Sequence, residues 1–145
     1  MLRIPKKIEY ALMSMQVLAN NGDNYYSAKQ IAASIGIPQH LTAKTLQQLM
    51  KIGLLESQEG VKGGYRIKPD VYRLSFLEFL KQMGEYPKLI QCFGKSQIEF
   101  FGKQSFTEHS SNCEHIQNCG IKSSMSKLQN KIEKLFNEIK LSEII

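Results

Sequence analysis

Apolar residues recur at steps of three and four through Ile8, Ala11, Leu12, Met15, Leu18 and Ala19, a spacing that predicts a helix over 5–20. Pro5 suits its first turn, and Asn20-Asn21-Gly22-Asp23 stops it. The next stretch, SAKQIAASIGI, puts Ala28, Ile31, Ala32 and Ile35 on one face behind the N-cap residue Ser27, and Gly36 breaks it. Pro38 opens a third helix, PQHLTAKTLQQLMKIG, with Leu41, Thr45, Leu46, Leu49 and Met50 turned inward. Its outward positions are then Gln39, His40, Thr42, Lys44 and Gln48. Beyond it, GLLESQEGVKGGYRIKP alternates on both sides of a glycine-rich turn and predicts a β-hairpin. Gly60, Gly63 and Gly64 are expected to supply the positive φ of that turn, with Lys62 at the tip and Arg66 and Lys68 just after.

The second half reads differently. Residues 75–83 predict a short helix capped by Ser75, and residues 84–111 show no period and read as a long loop. A long helix begins near Gly120. Ile121, Met125, Leu128, Ile132, Leu135 and Ile139 follow alternating steps of four and three, which is the a/d seam of a coiled coil and predicts homodimerisation. The expected fold is mainly α: a winged helix-turn-helix with a small β-hairpin wing and a long C-terminal dimerisation helix. It divides into a winged-helix DNA-binding domain over 1–74, a short helix with a cysteine-bearing sensor loop over 75–119, and a dimerisation helix over 120–145.

Charge gives this architecture a partner. The chain has 145 residues and a net charge of +6. Residues 1–75 contribute +5 of it and residues 76–145 only +1, so a polyanion is expected at the N-terminal half. Helix-turn-helix followed by a basic hairpin is a winged helix, and two such units in a dimer would read a palindromic double-stranded DNA operator. The candidate DNA contacts are Lys6, Lys7, Gln39, His40, Thr42, Lys44, Lys62, Gly63, Gly64 and Tyr65. No apolar run approaches the roughly 20 residues that span a membrane, and the N-terminal stretch lacks a cleavage site, so a cytoplasmic location is expected. No nucleophile–base pair, phosphate loop or paired acid stands at a meaningful spacing, which argues against an enzyme.

The three cysteines add chemistry. Cys113 and Cys119 sit in NCEHIQNCGI, among polar residues, where core packing explains them poorly. A disulfide, a metal site and an iron–sulfur cluster all fit that setting, and three cysteines cannot complete a disulfide framework.

I-E-Y-A-L near the start, Q-I-A-A-S-I-G-I-P in the turn, L-x-x-L-x-K-x-G-L-L before the wing and G-V-K-G-G-Y-R-I inside it together resemble the Rrf-two (Rrf2) family of bacterial transcription regulators. The resemblance runs over essentially the whole chain. It implies that Cys92, Cys113 and Cys119 bind an iron–sulfur cluster, either 4Fe-4S or 2Fe-2S, and that the long helix pairs across a dimer. It also implies that Glu9, in Glu9-Tyr10-Ala11-Leu12, supplies the last ligand from the partner subunit. His109 and His115 flank the cysteines and could replace Cys92 or Glu9. The implied function is a dimeric repressor whose operator affinity is gated by a cluster sensing nitric oxide, redox state or iron status. Two alternatives keep DNA binding. In one, Cys113 and Cys119 form a redox-switched disulfide. In the other, Cys92, Cys113, Cys119 and His115 close a structural zinc site.

Overall fold

The computed structural model describes residues 3–89 and 118–145. Cys92, Cys113, His109, His115 and the predicted loop beyond residue 89 lie outside the described residues. Among the described residues, five α-helices and one two-stranded antiparallel sheet follow the expected order: α1 (Lys6–Asn20), α2 (Ala28–Ile35), α3 (Gln39–Lys51), β1 (Leu55–Gln58), β2 (Gly64–Ile67), α4 (Phe76–Gln82) and α5 (Lys122–Glu138). Short 3-10 turns at Pro69–Arg73 and Leu141–Glu143 complete the elements of the described residues.

Local signals account for most boundaries. Ser27 caps α2 with a capping box, its side chain accepting from the Gln30 N–H while the Gln30 side chain accepts from Ser27 N. Gly36 ends the helix in the left-handed conformation, φ 67°. Ser75 and Glu78 build the same box on α4. Pro5 and Pro38 precede α1 and α3, where a missing N–H costs nothing.

One apolar cluster joins these parts. Ile8, Ala11 and Met15 of α1, Ile31 of α2, and Leu46 and Leu49 of α3 are fully buried together with Phe79 of α4 and Leu141 near the C-terminus. The tail after α5 does not prolong the helix. Phe76 N donates to the Ile139 carbonyl at 2.8 Å and Leu141 N to the Leu74 carbonyl at 2.9 Å, which brings Leu141 into this cluster. Ile139, expected in the dimer seam, is therefore the C-terminal cap of α5 and packs against this cluster.

Positions on α3 differ from expectation. Thr42, expected outward on α3, is buried and donates its hydroxyl to the Pro38 carbonyl at 3.3 Å. A β-branched residue can satisfy its own hydroxyl on the preceding turn, so its polarity does not oblige it to face water. Met50, expected inward, is 40% exposed.

Candidate nucleic-acid interface

The first turns of α3 carry Gln39, His40 and Lys44, all exposed. Gln48 is half-buried, and its neighbour Gln47 is exposed instead. The wing stands beside this helix. β1 and β2 pair with Leu55 opposite Ile67, Glu56 opposite Arg66, Ser57 opposite Tyr65 and Gln58 opposite Gly64. Lys62 and Val61 are exposed at its tip. Lys44 and Lys62 take part in no ion pair among the described residues, so both charges face solvent.

The glycines of the turn divide their work. Gly60 and Gly64 have positive φ, 108° and 147°, as expected, but Gly63 does not. A side chain at Gly63 would place its Cβ 2.2 Å from the Gln58 carbonyl oxygen, so that position needs glycine for close approach. A Cβ on Gly64 would lie 2.3 Å from the backbone of Tyr26. There the chain between α1 and α2 runs as a third, single-residue strand: Tyr26 N donates to the Tyr65 carbonyl at 3.0 Å, and Tyr65 N to the Tyr26 carbonyl at 2.8 Å. Tyr65 is half-buried in that junction and packs against the core cluster.

The other basic candidates are engaged with acids. Lys6 pairs with Glu9, and that hydrogen bond raises its pKa. Lys7 pairs with Glu85 at 2.6 Å, tying α1 to the chain after α4. Arg66, expected as part of a basic wing, turns back onto Glu56.

Of the expected cluster ligands, Glu9 and Cys119 are among the described residues. Glu9 is half-buried in the first turn of α1. Cys119 is a half-buried free thiol at the head of α5, its carbonyl accepting from Lys122 N at 3.3 Å. No group of three or more His, Cys, Asp or Glu side chains that could hold a metal is assembled among the described residues. Nor is any helix among them long and apolar enough to cross a membrane.

The expected seam on α5 is partly outward. Ile121, Leu128 and Leu135 are 62%, 43% and 52% exposed, while Met125 and Ile132 are half-buried. The inward anchor is a residue the hydrophobic pattern misses. Gln129 is 4% exposed; its amide nitrogen donates to the Pro87 carbonyl at 2.6 Å and to Glu133 at 2.9 Å, and its oxygen accepts from Leu89 N at 3.1 Å. Burial, then hydrogen bonding to Glu133, pushes the neighbouring Tyr86 hydroxyl well above the usual tyrosine range. The available signal was a second stripe, Met125, Gln129, Ile132 and Phe136, at steps of four, three and four.

A helix-turn-helix with an exposed polar face and a wing bearing an unpaired cation defines a winged-helix DNA-binding protein. More specifically, the chain belongs to the Rrf2 family: the family model, described as an iron-dependent transcriptional regulator, matches residues 4–145. It is a DNA-binding transcriptional regulator. The HTH-type transcriptional repressor NsrR of Streptomyces coelicolor is 25% identical over 103 residues, covering 70% of each chain. Among solved structures, the global cysteine regulator CymR of B. subtilis superposes with a TM-score of 0.65 at 19% identity, covering 97% of this chain and 94% of that one. T. potens IscR gives a TM-score of 0.63 at 22% identity, covering 97% and 84%. At these identities the two structures speak for the fold alone.

Proposed function

We propose that the protein is a homodimeric repressor whose affinity for a palindromic operator is gated by an iron–sulfur cluster on Cys92, Cys113 and Cys119, with Glu9 of the partner subunit as the last ligand. The observation that carries this reading is the placement of Cys119. It stands directly before a helix whose outer face is apolar, so whatever holds its thiol also holds the first turn of the dimerisation helix.

The residues present suit the group. Thiolates are the ordinary ligands of such clusters, and half-burial leaves the Cys119 thiol reachable yet partly shielded. Glu9 offers a carboxylate already held in place by Lys6. When bound, the cluster supplies an iron centre that reacts with nitric oxide or oxidants and is depleted when iron is scarce. Gln39, His40 and Lys44 of each protomer reach base edges and phosphates, and Lys62 of each wing reaches the backbone. Ile121, Leu128 and Leu135 pair the protomers and so set the separation of the two α3 helices.

The test is iron and acid-labile sulfide analysis of anaerobically purified protein, wild type and Cys119→Ala. The reading predicts a coloured protein containing both elements, with both strongly reduced in the variant. Colourless protein that forms a Cys113–Cys119 disulfide on oxidation would replace it with the thiol switch, and bound zinc without sulfide would replace it with the structural zinc site.

A further inference from the structure

Arg66 and Glu56 are directly opposite each other across the wing, and their contacts reach beyond the hairpin. Arg66 Nε donates to Glu56 Oε1 at 2.7 Å and Nη2 pairs with the same oxygen. Arg66 Nη1 donates to the Asp23 carbonyl at 3.1 Å, and the guanidinium lies 4.8 Å from the centre of the Tyr25 ring. The Tyr25 hydroxyl donates to Glu56 Oε1 at 3.4 Å, which closes the circuit. Asp23 and Tyr25 belong to the connection between α1 and α2. The group therefore joins both strands of the wing to the helix-turn-helix body, on the wing edge that the Tyr26–Tyr65 bridge also holds.

We propose that Glu56, Arg66 and Tyr25 form a clamp that sets the wing for DNA docking, with Arg66 a positioning residue rather than a phosphate contact. Three of the five N–H donors of Arg66 are directed at the Glu56 carboxylate and the Asp23 carbonyl, and its guanidinium lies over the Tyr25 ring, so its orientation is set by the wing and the α1–α2 connection. A fixed wing holds the Lys62 ammonium at one height beside α3, and ordering it in advance removes a cost that binding would otherwise meet. Glu56 then has an unusual role. An acidic residue beside a polyanion ordinarily weakens binding, whereas here its net effect is favourable because it holds the wing.

The inference rests on docking of the wing, and its test separates the two. Affinity for a short mixed-sequence duplex is measured at one salt concentration for wild type, Lys62→Ala, Glu56→Gln, Tyr25→Leu and the double variant Lys62→Ala/Glu56→Gln, with folding checked by thermal unfolding. Lys62→Ala should lower affinity, which tests docking. Glu56→Gln removes a negative charge and yet should lower affinity about threefold to tenfold, the effect of releasing one or two ordered side chains. Tyr25→Leu changes no charge and should act in the same direction. In the Lys62→Ala background, Glu56→Gln should add no further loss, because the clamp works through the wing tip. If Lys62→Ala lowers affinity while Glu56→Gln raises it or leaves it unchanged, the clamp is wrong and docking stands. If Lys62→Ala has no effect, wing docking fails and takes the clamp with it.

Discussion

Helices α3 and α5 are built from similar periodic patterns and present opposite surfaces. α3 turns Leu46 and Leu49 into the core and keeps Gln39, His40 and Lys44 outside. α5 buries Gln129 and leaves Ile121, Leu128 and Leu135 outside. The face each helix leaves uncovered indicates its partner. A polar, cationic face suits DNA, and an apolar stripe at heptad spacing suits a second protein surface. The difference arises because Gln129 hydrogen-bonds α5 to Pro87 and Leu89 in the chain after α4 and Phe136 packs against the core cluster, which leaves Leu128 and Leu135 unused.

The largest effect should come from a charge on the outer stripe. Leu128→Asp would place a carboxylate in an apolar contact, a penalty of several kcal/mol, and should convert a dimer into a folded monomer by sedimentation. An intact dimer would mean that α5 is not the interface. The stripes also differ in what they do for the single chain. Leu49→Ala opens a cavity in the core and should lower unfolding stability by about 2–5 kcal/mol. Leu135→Ala, measured at a concentration where the chain is monomeric, should stay within about 0.5 kcal/mol of wild type. Equal losses would erase the distinction between the two faces.

Smaller effects probe the DNA side. Lys44→Ala and Lys62→Ala should each reduce the log–log salt dependence of duplex binding by about 0.9, one phosphate contact apiece. Unchanged affinity and slope in both would put the docking face elsewhere. The smallest effect concerns the α4 cap, which lies under neither partner face. Ser75→Ala should cost about 1 kcal/mol of stability without changing DNA affinity. The backbone N–H and then the hydroxyl of Ser75 lower the pKa of Glu78 below its ordinary 4.5. The stabilisation from this carboxylate is thus complete above that ordinary value and is lost as pH falls through the lowered one. Urea midpoints should accordingly show a smaller Ser75→Ala penalty in acid than at neutral pH.

Much of this was legible in the sequence. The order of elements and the start of α2, α3 and α4 and the end of α2 follow from Ser27, Pro38, Ser75 and Gly36, because those signals act within one turn of chain. Contacts made at long range were less legible. Thr42 looked polar and therefore outward, but its hydroxyl bonds locally and leaves the methyl group to pack. Arg66 counted only toward the basic charge of the wing, because its partners Asp23 and Tyr25 lie more than forty residues away in the chain. Gln129 was hidden because a hydrophobic pattern does not register a buried amide, and its acceptor at Pro87 is 42 positions distant. Likewise, the chain after Glu138 continued the period at Ile139 but left the helix to pair with Leu74 and Phe76.

The central claim, that the cysteine segment controls DNA binding, is tested most directly on one duplex at one salt concentration. An operator is first selected from a random-sequence pool. Its affinity is then measured for protein as prepared anaerobically and after removal of metal, in wild type, which the account predicts to contain iron, and in Cys119→Ala, which it predicts to lack it. The predicted result is a difference of about 5- to 150-fold between the two wild-type forms, the usual range for coupling between two sites, and no difference in Cys119→Ala. Equal operator affinity of the iron-containing and metal-free wild-type proteins would contradict it.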